Sequence, residues 1–158
     1  MLLSRQWLIY VLYMFLAFCK SSIHYIHLVY YVQTYVFVYR MHFSAFWLAE
    51  CLFLFWNCSN DLFIGWFADR YVSSISHRLD YLKKSGVMFS LISLFFWYPL
   101  VDQHSSFLVL QLFVILCLYD TFLTVIDLNY NSLLIDMNEQ NRHTLSTASI
   151  VGNALGED

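Results

Sequence analysis

Proline and glycine are almost missing from this chain, with one and four respectively in 158 residues, and only 12% of residues are charged. So little proline and glycine excludes collagen-like, disordered and turn-rich small β structures. Soluble domains carry about 25% charged residues, so half that fraction leaves too few ionised groups to cover a soluble fold. The eight Lys and Arg are thinly spread and the net charge is −3. A nucleic-acid binder concentrates basic residues on one face, so that class is excluded as well. Four cysteines, Cys19, Cys51, Cys58 and Cys117, lie in apolar runs with no CxxC spacing. They read as small buried hydrophobes and not as a disulfide framework or zinc site. A Gly-rich phosphate loop, a nucleophile elbow and an HExxH helix are all lacking, so no enzyme and no cofactor is expected.

What the chain does have is apolar length. Hydrophobic residues make up 60%, aromatics 20%, and the mean hydropathy is +0.59. A bilayer's hydrocarbon core needs about 20 mostly apolar residues of helix. Four stretches qualify, at about 7–39, 43–67, 87–101 and 107–135. The first holds Lys20-Ser21-Ser22 and His24, which fits either one tilted helix with a polar middle or a span with an irregular centre. It continues past any small-residue cleavage site, so it reads as a span and not as a cleaved leader. A fifth helix opens at 144–155. The fold class expected is all-α and transmembrane, with the lipid bilayer as its first partner.

Loop charges give an orientation. Arg5, Arg70, Arg78, Lys83, Lys84 and Arg142 fall on one side and Arg40 on the other. That places the N-terminus and the 68–86 loop in the cytoplasm.

Polar residues at bilayer depth carry the functional information, because an ionisable group there costs at least about 2.5–3.5 kcal/mol. Span two holds Glu50, Asn57, Asn60 and Asp61. Span four holds Asp120, Thr124, Asp127 and Asn131, spaced +4, +3, +4 along one helix side. Asp61 and Asp127 each lie about 12–14 Å from their cytoplasmic helix ends. The two stripes either face a cavity, holding a cation or exchanging a proton, or hydrogen-bond neighbouring helices and hold the bundle together. Two carboxylates without a basic partner lean toward the first, since like charges repel unless they share a cation or proton. His24 and His27 read as polar bundle contacts, and Lys20 as a snorkelling or interhelical residue. The Asn57-Cys58-Ser59 glycosylation pattern sits inside a span and is inert there.

Gly65-Trp66-Phe67-Ala68-Asp69-Arg70 resembles the G-x-x-x-D-R signature of the major facilitator superfamily. Upstream, the stretch from Trp56 through Asn60-Asp61-Leu62 to Gly65-Trp66 resembles the N-D-P-x-x-G element of the glycoside-pentoside-hexuronide cation symporters. Tyr119-Asp120 and the run from Asp127 to Leu133 resemble that group's Y-(D/T)…D-(I/L)-P-x-W-S-L segment, and Arg142 falls where those proteins keep an Arg. Within the group the likeness is strongest to the transmembrane protein 180-like proteins. It is carried by Leu28 to Val32, Phe46-Trp47, Leu54 to Asn57 and Cys117 to Leu128, and covers about residues 7–150.

The resemblance implies a fold of twelve helices in two bundles with substrate bound between them. It also implies secondary transport of a small solute such as a sugar, coupled to H⁺ or Na⁺. Positions matching Asn57, Asp61 and Asp127 would form the cation or proton site, and no metal beyond that monovalent cation is implied. Asn60, Asp120, Thr124 and Asn131 would line the cavity, and Gly65, Asp69 and Arg70 would belong to a cytoplasmic gate. Asn57 replaces a carboxylate of the family, while Leu62 and Asn129 replace prolines. Four helices and the opening of a fifth do not make that cavity, so the chain is expected to be a truncated product, gene fragment or splice form, lacking the remaining transporter helices. The alternative is a non-transporting membrane scaffold or regulatory interaction protein.

Overall fold

A computed structural model describes residues 2–71, 74–100, 107–136 and 139–157. Among the described residues the structure is all helical, with five α-helices: α1 (Leu2–Gln33), α2 (Phe43–Tyr71), α3 (Ile75–Phe95), α4 (Phe107–Asp136) and α5 (Glu139–Glu157). They form two compact units, Met1–Tyr31 with Leu134–Asp158, and Val32–Leu133.

Among the described residues two helical stretches, Trp7–Val38 and Phe107–Ile135, are long and apolar enough to cross a membrane. The sequence reading expects four. Glu50, Asn57, Asn60 and Asp61 dilute α2, and α3 spends its first half on His77, Arg78, Asp80, Lys83 and Lys84. The apolar side chains outside the core are large: Phe37, Phe55, Leu62 and Phe63 are each more than 70% exposed. Soluble monomers rarely display so much apolar surface, and a lipid solvent accounts for it.

The 68–86 segment differs from the expected loop. α2 continues to Tyr71, and α3 begins at Ile75 behind Ser74, whose extended backbone and hydroxyl, accepting from the His77 N–H at 3.4 Å, cap the helix. An Asp80–Lys83 pair at 4.0 Å lies on α3's exposed first half. α3 then ends at Phe95, six residues before the expected end of the third span, and Val101 itself lies outside the described residues. Pro99 removes a donor and disfavours helix at Tyr98. The turn there is held by Gln111, whose amide donates to the Tyr98 carbonyl and accepts from the Leu100 N–H, both at 3.0 Å.

α1 runs unbroken through Lys20-Ser21-Ser22; its irregularity comes later, as a π-helical turn over Thr34–Val38. One extra residue in that turn lets the Tyr39 N–H reach the Thr34 carbonyl at 2.8 Å and the Met41 N–H reach that of Tyr35 at 3.0 Å. Arg40 closes the turn with φ 52°, in the left-handed region. Tyr35, fully buried, packs edge-on against Tyr39 and Phe96, and Phe96 packs on Tyr119 of α4. The buried residues of α4 include Leu108, Leu112, Ile115, Tyr119, Ile126, Tyr130 and Leu133, a helical stripe facing the core of the second unit.

Hydroxyls and amides hide inside these apolar helices by bonding the carbonyl four residues back. Ser85, Ser93, Thr121 and Asn129 do so to Tyr81, Phe89, Cys117 and Val125 at 2.7–2.8 Å. Each of these donors thereby finds an acceptor within its own helix.

In the first unit α5 lies against α1, running parallel to it. A Cβ on Gly152 would run into the Met14 carbonyl and the Ala17 side chain, and one on Gly156 would come within 2.8 Å of both the Phe18 carbonyl and the Ser21 Cβ. Only glycine permits this backbone approach, and Gly152-x-x-x-Gly156 is the small-residue spacing that membrane helices use for it. Ala17 and Ser21, four apart and buried, form the matching surface on α1. The Ser21 hydroxyl donates to the Asn153 side chain at 2.9 Å. Arg142 on α5 closes the end of α4 by donating to the Leu134 and Ile135 carbonyls at 3.2 and 2.8 Å, two of the carbonyls a helix end leaves open.

Candidate functional site

The polar residues of α2 and α4 meet inside the second unit. Asn60, 4% exposed, is the centre. Its amide N–H donates to Asp120 at 3.0 Å and to the Thr124 hydroxyl at 3.4 Å. Its amide oxygen faces the Thr121 hydroxyl at 3.2 Å. The Thr124 hydroxyl donates onward to the Asp61 carboxylate at 3.0 Å. One α2 turn and one α4 turn are thus tied by four interhelical hydrogen bonds, and two carboxylates, Asp61 and Asp120, belong to one network.

The remaining sequence candidates surround this network unevenly. Asn57, half-buried, lies one turn before Asp61 on α2. Asp127, half-buried, lies three residues beyond Thr124 on α4, and Asn131, a turn further, is exposed. Asn129 is buried within an α4 that continues without a break, as α2 does through Leu62. Both positions lack the prolines of the cation symporters that the sequence resembles, and both helices keep regular backbone there.

Gly65 stands in open space, with no heavy atom within 4 Å of where a Cβ would sit. Arg70 is exposed and its guanidinium lies over the Trp66 ring at 5.6 Å from the centroid, a cation–π contact. The side chain of Asp69 lies outside the described residues. Glu50 is half-buried on α2.

Thr121 belongs to the network although the sequence reading passes over it. It sits one residue off the 120-124-127-131 stripe, and its signal was the neighbouring Asp120 combined with the four-residue step back to Cys117. The Gly152-x-x-x-Gly156 spacing is the other residue set missed, and it was legible as a small-residue motif.

Chemically, the network offers carboxylate, amide and hydroxyl oxygens from two helices, the donor set a hard cation prefers. Among the described residues, no group of three or more His, Cys, Asp and Glu is placed to hold a metal ion.

Against known proteins, the chain is 36% identical over 140 residues to Transmembrane protein 180 of Gallus gallus. It is 36% identical over 141 residues to Transmembrane protein 180 of Mus musculus. Each match covers 80% of this chain and 26% of the relative, so the chain spans about a quarter of the length of the curated relatives it matches. No family model and no solved structure matches the chain. The relatives' names and the two apolar helices agree on a membrane protein with transmembrane helices.

Proposed function

We propose that the chain is part of a secondary transporter for a small solute such as a sugar, with a cation or proton carried at the α2–α4 network. The supporting observation is the linkage of Asp61 and Asp120 through Asn60 and Thr124. In a low-dielectric medium two linked carboxylates repel unless a cation or proton is shared between them. Asp61 is the exposed end of the network. Asp127 and Asn57 are the neighbouring positions that the resemblance to the cation symporters adds. Under the same reading the N-terminus is cytoplasmic, Gly65, Asp69 and Arg70 serve a gate, and the solute cavity needs helices beyond these five.

The second reading is a non-transporting scaffold, favoured by the mutual satisfaction of Asn60 and Asp120, which is what interhelical glue looks like. Carbodiimide labelling separates the two. Dicyclohexylcarbodiimide attacks protonated carboxyls in apolar surroundings. In lipid nanodiscs the transport reading expects adducts on Asp61 or Asp120 that fall when Na⁺ is added or the pH is raised. No adduct at either residue, or labelling indifferent to both, refutes ion or proton exchange and leaves the scaffold.

A further inference from the structure

Where α2 ends and α3 begins, residues 68–86 hold four cations, Arg70, Arg78, Lys83 and Lys84, against two carboxylates, Asp69 and Asp80. The α1–α2 turn, at the other end of α2, holds Arg40 as its one Lys or Arg. Lys83 and Lys84 are exposed and stand where α3 changes character, since the exposed residues after them include Val87, Met88, Leu91 and Leu94. Lys83 lies four residues before Val87 and Lys84 four before Met88, so each shares a helix face with an apolar side chain one turn away. α2 shows the same boundary. Phe63 and Trp66 are exposed apolar side chains, and Arg70, one turn further, places its guanidinium 5.6 Å from the Trp66 ring centroid. Tryptophan settles at headgroup level in a bilayer, so the cation–π contact keeps this charge at the depth of lipid phosphates.

We propose that this end of the second unit binds anionic phospholipids in preference to zwitterionic ones, through Arg70, Lys83 and Lys84. The complementarity is one of net charge at a fixed depth. The phosphate of phosphatidylcholine is offset by its own choline, whereas that of phosphatidylglycerol keeps its charge for the protein. Lysine methylenes lie along neighbouring apolar surface while the ammonium reaches the phosphate layer. Lys83 stands 4.0 Å from Asp80, with both side chains largely exposed; such a pair is weak in water and leaves ammonium hydrogens for a phosphate. A soluble polyanion suits this end less, because the cations border exposed apolar surface that acyl chains cover. Basic residues beside a membrane span recognise anionic lipid by this attraction.

The test is native mass spectrometry of the chain released from nanodiscs of mixed phosphatidylcholine and phosphatidylglycerol, with the retained lipids counted by class. The wild-type chain retains phosphatidylglycerol in excess of its share of the bilayer, and the excess shrinks as salt is raised. Lys83→Gln combined with Lys84→Gln lowers the preference by about fivefold for each charge removed, the equivalent of about 1 kcal/mol per basic residue at the surface. Lys83→Arg combined with Lys84→Arg keeps it. Arg40→Gln, at the opposite end of α2, leaves it unchanged. Equal retention of the two lipids by the wild-type chain overturns the proposal, as does a preference that survives the double Gln variant. A preference lost equally in Arg40→Gln also overturns it, by assigning the effect to the whole chain's charge.

Discussion

Replacing a glycine by alanine in a helix normally stabilises it, by about 0.8–1.0 kcal/mol. The α1–α5 seam reverses that sign. At Gly152 a new Cβ meets the Met14 backbone carbonyl, and at Gly156 it meets the Phe18 carbonyl and Ser21 Cβ at 2.8 Å. Backbone cannot swing aside as a side chain does, so the helices must separate. Overpacking of this kind costs about 1–3 kcal/mol, and after the propensity gain the expected net loss is up to about 2 kcal/mol. Gly86 supplies the control, since it is within α3 and a Cβ there meets nothing within 4 Å. Gly86→Ala therefore gains up to about 1 kcal/mol. Thermal melts of the purified chain in detergent read both signs, at about 2–4 °C per kcal/mol for a chain this size. Gly152→Ala melting above the wild type would refute the close approach of α5 to α1.

The Asn60–Asp120 pair predicts a coupling. In a double-mutant cycle of Asn60→Ala and Asp120→Ala, the two losses fall short of additivity by about 0.6–1.7 kcal/mol, the range for hydrogen bonds between membrane helices; strict additivity would dissolve the network. At the turn after α1, Arg40 holds φ 52°, a conformation costing a non-glycine residue about 1–2 kcal/mol. Arg40→Gly relieves it, less the extra freedom of the unfolded glycine, for a net gain of up to about 1.5 kcal/mol in the same melt. A lower melting temperature for Arg40→Gly would mean that the arginine side chain contributes more than its backbone costs.

The helices were legible because apolar runs with one proline admit few other structures, and the start of α3 at Ile75, well before the apolar run expected from residue 87, lies beyond that reasoning. Hydropathy marks where a chain enters hydrocarbon; it does not mark where its helices start. A capping Ser74 and strong helix formers such as Lys83 and Lys84 begin α3 well before its apolar half. The π turn at Thr34–Val38, within which Tyr35 packs on Tyr39 and Phe96, had no sequence signal. At the site, helical spacing located the stripes but not the register between helices. That register is set by packing, and it decides that Asn60 meets Asp120 and that Asp61 meets Thr124.

Asp61 is the more exposed of the network's two carboxylates. It lies on a helix whose other exposed residues include Leu54, Phe55, Leu62 and Phe63, side chains suited to lipid. Its own carboxylate is exposed with one hydrogen bond from Thr124. In a bilayer-spanning α2, an ionised group at that depth facing acyl chains costs at least about 2.5–3.5 kcal/mol, more than one interhelical hydrogen bond returns. Three arrangements relieve the cost: a proton on the carboxylate, a cation beside it, or water and protein covering that face. The first two are the chemistry of a coupled transporter, and the third is what a scaffold needs. Asp61→Asn removes the charge and nearly preserves the shape. It stabilises the chain in nanodiscs if Asp61 stands ionised against lipid, and leaves stability unchanged if the residue is already protonated or covered.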